Sequence, residues 1–554
     1  MKTHIEYFYD WENNTPNNIF LKQPFGSTWH TLTYREAGVE ARKMVTALNG
    51  MGLEKGDHIG ILSKNCYHWV LADLAISIGG FVSVPFYASL PKARLQEVIQ
   101  KSDIKLLFVG KLDHWGDKDS VLSSDLKVIK FPHYEGNATI NVGLSWNDLI
   151  KRNKPFNKEP IPDFDDTWTI VFTSGTTGSP KGVVLNYRNI AILFKNEVDH
   201  NTLGFFDMER HSFFSFLPLN HVGERLIIEG AAFFTGGSIS FAENIDTFMK
   251  NLQDIQPSVF FAVPRIWNIF QSGILAKISQ KRLDVLLSLP LINRLIKKRI
   301  KQSLGLLKAE AIVTGAAITP SHLKKWYRKF DINIREVFGA SEACGGVTIT
   351  PIGEIMDEGV GKPVTGVEFK IDSNTGEIIY KCDQLMVGYY KDPVRTSEVL
   401  KDGWYYSGDK GYFDEENNLY VIGRLNDEFK TEKGIYITPN PIESMVLKSD
   451  LIEQTCVVGL ASPQPLALIN LSEIGIKLSK EEIIVRFQEL IDIVNKDLAN
   501  NSKIASIVIT KEIWNEENNM LTPTLKVRRS IIDEKYMSFY TKWYNLDEPV
   551  IWEL

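Results

Sequence analysis

From His58 onward, apolar runs short enough to be strands alternate with segments whose apolar residues recur at helical spacing. His58 to Leu62 reads as a strand, Tyr67 to Ile78 as a helix, Phe81 to Pro85 as a strand, Pro91 to Lys101 as a helix and Ile104 to Val109 as a strand. A chain patterned this way folds into mostly parallel sheets, because parallel neighbours need a crossover connection and a helix supplies it. Trp168 to Thr173, Ser258 to Val263, Ala311 to Thr314 and Asn333 to Phe338 continue the series. Polar loops follow these strand ends, where open α/β sheets hold their ligands.

After about Gly359 the texture changes to short β-like pieces and turns, among them Val367 to Ile371, Gly376 to Tyr380, Asp402-Gly403 and Leu419 to Ile422. A chain of 554 residues, 44% of them hydrophobic, is too long for a single core. The expected architecture is α/β. A large N-terminal domain, residues 1–423, carries mostly parallel, helix-flanked sheets and a small β-rich subdomain; the polar Arg424-Leu425-Asn426-Asp427 forms a hinge at 424–427. A smaller mobile α+β C-terminal domain occupies 428–554.

A net charge of −6 and the lack of a long Lys/Arg run argue against nucleic acid as a partner. The first ten residues, MKTHIEYFYD, have no apolar signal core, so the expected location is the cytoplasm. Cys66, Cys344, Cys382 and Cys456 are too scattered for a metal finger and read as reduced, buried thiols. Residues 283–307 mix Leu and Ile with Arg294, Lys297, Lys298, Arg299 and Lys301, and Pro290 interrupts them. They cannot span a bilayer; either they touch the inner face of a membrane peripherally or their apolar stripe packs on the protein's own core.

The strongest chemical signal is Thr173-Ser174-Gly175-Thr176-Thr177-Gly178-Ser179-Pro180-Lys181-Gly182, which directly follows an apolar run. Glycines let the backbone approach a polyphosphate, hydroxyls and N–H groups donate to it, and Lys181 adds positive charge. It is not a Walker loop, because no Gly-Lys-Ser/Thr closes it.

This loop resembles the phosphate-binding signature of the adenylate-forming superfamily, which includes acyl-CoA synthetases, luciferases and peptide-synthetase adenylation domains. Further matches follow in the family's order: Val337-Phe338-Gly339-Ala340-Ser341-Glu342, Asp402 to Asp409, Gly423-Arg424, and Leu521-Thr522-Pro523-Thr524-Leu525-Lys526. Phe216 to His221 with Glu224-Arg225, Val263 to Trp267 and Thr314 to Ala317 are most similar to the long-chain fatty-acid–CoA ligases. The resemblance spans nearly the whole chain.

It implies ATP-dependent activation of a carboxylic acid, a medium- or long-chain fatty acid, through acyl-AMP to acyl-CoA with release of AMP and pyrophosphate. ATP, Mg²⁺ and coenzyme A are the implied cofactors and co-substrates. Joining a carboxylate to ATP brings two anions together, and Lys526 is the cation expected between them. Glu342, with the Thr173 hydroxyl, is expected to hold Mg²⁺, since hard cations choose oxygen ligands. Ser174, Gly175, Thr176, Thr177, Gly178 and Lys181 are assigned to the phosphates. Asp409 is expected on the ribose hydroxyls, with Arg424 on ribose or phosphate and Lys430 on AMP.

Adenine is expected against Phe338, between Ala316-Ala317 and the backbone of Glu336 and Val337, with Gly339 and Ser341 in the same motif. His221 is expected to position the acyl substrate. By resemblance, the loop at Lys433-Gly434 approaches the thiol channel. Asn426 departs from the Asp or Lys common at the hinge position. A ligase that loads a carrier protein and a catalytically silent homologue remain open alternatives, and the sequence leaves the oligomeric state open.

Overall fold

The computed structural model describes residues 1–554 apart from 174–179, 433, 461, 497, 501, 523–524, 554 and the side chain of Leu291. Two sheets organise the N-terminal region. In the first, Thr167–Thr173, Val82–Phe86, His58–Leu62, Leu106–Val109, Lys127–Lys130 and Leu144–Ser145 lie side by side in parallel. Lys181–Asn186 and then Gly388–Tyr389 close one edge in antiparallel register.

The second sheet has a parallel centre of Ser238–Phe241, Ser212–Ser215, Val259–Ala262, Ala311–Gly315 and Arg335–Ala340. Antiparallel Gly345–Ile349 borders one side, and Ile19–Phe25 with Thr28–Thr33 extends the other. Most of the central strands are Val-, Ile- and Phe-rich and buried along their length, as strands covered on both faces must be. Helix Tyr67–Gly79 is apolar all round and is buried from His68 to Ile78. Such a helix has no solvent face to offer and belongs in the core.

The β-like pieces after Gly359 form an antiparallel sheet of Glu368–Ile371, Glu377–Lys381, Leu400–Lys401, Trp404–Phe413 and Leu419–Arg424. Asp402 and Gly403 join two of these strands with φ of 52° and 78°. That is the turn whose twist suits a two-residue hairpin, and an Asp-Gly pair tolerates it best.

Leu425–Asp427 is a single 3₁₀ turn. Beyond it lie a four-stranded sheet, helices Lys480–Lys496 and Arg529–Tyr544, and hydrophobic clusters of their own. The buried members of each cluster come either from residues up to Leu419 or from Phe429 onward, never from both. The chain is thus an α/β protein with a large N-terminal domain and a smaller C-terminal one. All four cysteines are free and buried.

Pro290 does separate two helices, Gln280–Ser288 and Pro290–Ser303. Their apolar residues divide: Leu283, Ile300 and Leu304 join a core cluster, and Leu287 and Ile296 pack against it. Val285, Leu289, Ile292 and Leu295 stay exposed. The apolar stripe thus packs on the protein's own core only in part. Among the described residues, no helix is long and apolar enough to cross a membrane.

Candidate active site

The Gly-rich loop links two strands that pair with each other, Thr167–Thr173 and Lys181–Asn186, so Thr173 lies directly opposite Lys181. This is a β-hairpin, and no helix N-terminus follows the loop. Ser174, Gly175, Thr176, Thr177 and Gly178 lie outside the described residues. Thr173 and Lys181 line a cavity of about 690 Å³ that receives residues from both domains. Burial lowers the pKa of the Lys181 ammonium, while the Glu342 carboxylate acts in the opposite direction.

Glu342 sits in a 3₁₀ turn, Ser341–Ala343, at the end of strand Arg335–Ala340. Its carbonyl accepts from Met386 N at 2.7 Å, and its Oε1 accepts from Tyr389 Oη at 2.8 Å. Tyr389 itself pairs with Val183 on the Lys181 strand, and Lys181 Nζ stands 5.2 Å from the centre of its ring. Gly339 makes the tight return possible, since a Cβ there would lie 1.9 Å from the Gly345 carbonyl oxygen.

On the opposite wall, Asp409 and Arg424 face each other across an antiparallel pair, and Arg424 Nε reaches Asp409 Oδ1 at 2.9 Å. A second Arg424 nitrogen donates to Ser407 O at 3.0 Å, which fixes the guanidinium. Burial raises the Asp409 pKa, against the pull of Arg424 and Lys526. Lys526 comes from the C-terminal domain, in a turn where its N–H donates to Thr522 Oγ1 at 3.0 Å and its carbonyl accepts from Thr522 N at 2.8 Å. Its side chain opens onto the cavity. Crowding by the walls, with the Arg424 charge beside it, lowers its pKa to about 8.

His221 lines the cavity and caps the short helix Val222–Glu224, its Nδ1 accepting from Gly223 N at 3.2 Å. Burial and the nearby Lys526 charge lower its pKa to about 4, so the ring is neutral. A π-helical turn follows, Arg225–Gly230, and then helix Ala231–Thr235. These segments turn Leu226, Ile227, Ala231 and Phe234 into the cavity, opposite Leu193 and Phe194. Together they form an apolar limb of the cavity. Beneath it, Arg225 pairs with Asp73 and Glu229 and donates to Thr169 Oγ1 at 2.6 Å, with all four side chains buried.

Among the residues expected from the sequence, Thr173, Lys181, His221, Ala316, Val337, Gly339, Ser341, Glu342, Arg424 and Lys526 line one cavity. Asp409 stands behind Arg424. Ala317, Glu336, Phe338 and Lys430 are not on its wall. The Glu336 carboxylate is buried and committed to Lys324 Nζ and Thr319 N, both at 2.7 Å, and Phe338 packs on the main core. Lys430 is exposed over the Tyr436 ring. Lys433 lies outside the described residues.

Sequence reasoning missed the apolar limb, whose members look like ordinary core until the π-turn aims them. It also missed Gln384, which lines the cavity while its buried amide nitrogen has no hydrogen-bond partner among the described residues. An isolated Gln carries no sequence signal.

Among the described residues, no three His, Cys, Asp or Glu side chains gather as a metal cage. One carboxylate, Glu342, and one hydroxyl, Thr173, fit Mg²⁺ all the same, because that ion usually takes one or two carboxylates and leaves its other positions to phosphates and water.

The profile of the AMP-binding enzyme family matches residues 8–390, and that of the AMP-binding enzyme C-terminal domain matches residues 427–548. The chain belongs to the AMP-binding enzyme family. It is an adenylate-forming enzyme of the acid–thiol ligase class, whose members use ATP, Mg²⁺ and coenzyme A. This AMP-binding enzyme is 28% identical to fatty acyl-CoA synthetase B of Dictyostelium discoideum, across 89% of the chain and 82% of that protein. It is 26% identical to long-chain-fatty-acid–CoA ligase FadD15 of Mycobacterium tuberculosis, across 97% and 96%. It is 29% identical to long-chain-fatty-acid–CoA ligase 5 of Rattus norvegicus, across 90% and 82%.

Among solved structures, an anthranilate CoA ligase in complex with anthranoyl-AMP superposes with a TM-score of 0.79 at 20% identity, covering 97% of each chain. The adenylation domain of a Mycobacterium chelonae carboxylate reductase gives 0.82 at 19% identity, covering 98% of this chain and 91% of that one. Both likenesses concern the fold.

Proposed function

We propose that this AMP-binding enzyme activates a medium- or long-chain fatty acid as acyl-AMP and passes the acyl group to coenzyme A. One observation carries the reading: the cavity joins a charged end, with Lys526, Arg424, Glu342 and Thr173, to a limb walled by Leu193, Phe194, Leu226, Ile227, Ala231 and Phe234. A carboxylate with an aliphatic tail is the ligand that satisfies both ends. The names of the curated relatives point the same way.

In the first half-reaction a carboxylate oxygen attacks the α-phosphorus of ATP, and the bond to pyrophosphate breaks. Two anions held about 4 Å apart repel by about 4 kcal/mol at an effective dielectric of about 20. The Lys526 ammonium offsets that repulsion where the charges meet, with Arg424 as a second cation. Mg²⁺ bound by Glu342 and Thr173 would neutralise phosphate charge. Gln384, whose amide nitrogen has no partner among the described residues, offers its N–H to an anionic oxygen, and neutral His221 lines the same cavity.

In the second half-reaction the thiol sulfur attacks the acyl carbon and AMP leaves with the bonding pair. We assign the hinge to 424–427. Asn426 and Asp427 border the cavity, so rotation there would withdraw Lys526 and admit the thiol.

The test is pyrophosphate release across a chain-length series of acids, with thioester formation followed in the presence and absence of coenzyme A. Each buried methylene is worth about 0.8 kcal/mol, so kcat/KM should climb by up to about fourfold per methylene until the limb is full. A flat chain-length profile overturns the fatty-acid reading. Adenylation without transfer to coenzyme A overturns the acceptor.

A further inference from the structure

One wall of the apolar limb is a continuous helical stretch with a direction. His221 caps it, and residues 222–235 run through a short α-helix, the π-turn and helix Ala231–Thr235. Leu226, Ile227, Ala231 and Phe234 face the cavity along its length. His221 stands near the Lys526 charge, and at about 1.5 Å of rise per residue Phe234 comes roughly 18 Å further along. Leu226 belongs to the near part, since a Cβ on Gly345, just past the Glu342 turn, would lie 2.9 Å from its Cδ1. Phe234 belongs to the remote part.

There Phe234 meets Phe194, and the two rings stack with centroids 5.0 Å apart and planes 11° from parallel. Both side chains are buried and both line the cavity. Neighbours hold them in place. A Cβ on Gly230 would lie 3.3 Å from Phe194 Cζ, and Tyr7 of helix His4–Asn14 stands edge-on to Phe194 and Phe234 at 5.8 and 5.1 Å. Phe206 meets Phe234 edge-on at 6.0 Å. Tyr7 is half-buried, Phe206 is exposed, and neither lines the cavity. The stacked pair therefore lies between the limb and a surface layer made by Tyr7 and Phe206. Rings arranged edge-on and offset attract beyond the area they bury, so the cluster resists opening.

We propose that the stacked Phe194–Phe234 pair is the stop that closes the apolar limb and sets the longest acid the enzyme activates, with Tyr7 of the N-terminal helix bracing it from behind. An aliphatic chain extended along the limb gains from each methylene taken out of water until it meets the rings. Past that length every further methylene must displace packed aromatic side chains or stay in water. Selectivity then rises with chain length and breaks at a limit fixed by residues 194 and 234. Tyr7 touches no substrate and acts as a positioning residue through the two rings. The inference rests on the reading of the limb as the acyl site.

The experiment is pyrophosphate release by the full-length protein over a series of straight-chain acids, for wild type, F234A, F234L, F194L, Y7A and Y7F. The readout is kcat/KM for each acid divided by that for the wild-type optimum, taken within each protein, so that a general loss of activity or stability cancels. Wild type should climb to an optimum and then fall. F234A should move the optimum to longer acids, which gain up to about fourfold in the ratio for each methylene newly accommodated. F234L and F194L remove less volume, keep an apolar side chain if F234A does not fold, and should move it in the same direction by less. Y7A should also lengthen the preferred acid, while Y7F keeps the edge-on ring and should keep the wild-type profile. A wild-type optimum retained by F234L and F194L overturns the stop and leaves the fatty-acid reading standing, as does a wild-type profile that climbs without a break. A flat wild-type profile overturns both. An optimum unchanged in Y7A overturns the brace.

Discussion

Tyr389 Oη donates to Glu342 Oε1 at 2.8 Å, across a gap that joins the edge of one large sheet to the turn at the end of a strand in the other. The bond holds the carboxylate beside Thr173 and Lys181, the two residues that flank the Gly-rich loop. Removing the phenol hydroxyl frees the carboxylate without removing it. A hydrogen bond to a charged group is worth about 1.5–3 kcal/mol. Y389F should therefore raise the Mg²⁺ concentration needed for half-maximal pyrophosphate release by about tenfold, and E342Q should raise it further. Identical Mg²⁺ titrations for Y389F and wild type would remove this bond from metal binding.

The pKa of Lys526 is lowered to about 8 by the crowding of the cavity walls and by the Arg424 charge. Its cationic form predominates below that value, so adenylation should fall as pH rises through about 8, whereas thioester formation from supplied acyl-AMP should not follow the same limb. K526A should lose about a hundredfold or more in adenylation, the magnitude typical of a single preorganised charge donor. K526R should move the alkaline limb upward. Stopped-flow adenylation against pH separates these outcomes, and an unchanged limb in K526R would assign it to another group.

Gln384 is buried at the cavity wall, and among the described residues its amide nitrogen has no partner. An unsatisfied buried donor costs about 1–3 kcal/mol. Q384L should therefore leave the melting temperature equal or higher, yet raise the KM for ATP or for the acid about fivefold. A variant with lower stability and unchanged kinetics would make Gln384 a structural residue.

Glu224 sits in the core, where Oε1 accepts from Ser215 Oγ and Phe216 N, both at 2.9 Å, and Oε2 has no partner among the described residues. Burial pushes its pKa up to about 8. A raised carboxyl pKa means the folded state holds a proton that the unfolded state releases, so this group's contribution is full at low pH and is lost as pH rises toward about 8. E224Q cannot titrate. Its stability relative to wild type should grow by about 1.4 kcal/mol per pH unit within that window. Parallel denaturation midpoints for both proteins from pH 5 to 8 would refute the assignment.

Arg265 Nη2 meets Glu453 Oε1 at 2.8 Å, linking the N-terminal domain to the C-terminal domain in the orientation that brings Lys526 to the cavity. Both side chains are partly exposed, and such pairs contribute at most about 1 kcal/mol. R265E should slow adenylation up to about fivefold and leave the thioester step unchanged, and the R265E/E453R swap should restore it. Equal slowing of both steps would indicate damage to the fold and not a shift in domain orientation.

Strand and helix order was legible in the sequence because each element announces itself locally. His58–Leu62 was read at its true limits, and the helix read from Tyr67 extends one residue further, to Gly79. The buried parallel strands are continuous apolar runs, and the Asp402-Gly403 turn is written in two residues whose backbone freedom is intrinsic. The motifs themselves were legible for the same reason: the Gly-rich loop, the Glu342 turn and the Lys526 segment each carry their polar groups in a few consecutive residues.

Only the tertiary structure decided which of these residues share a wall. It set Thr173 opposite Lys181 in a hairpin, committed the Glu336 carboxylate to Lys324 and Thr319, and turned Leu226, Ile227 and Phe234 from core-like residues into an apolar limb. It also split the Leu/Ile stripe of residues 283–307 between core and surface. Periodicity records that a residue is apolar and which face of its element it occupies. What that face meets depends on elements hundreds of residues away, because packing is a property of pairs of surfaces and a sequence pattern belongs to one surface at a time.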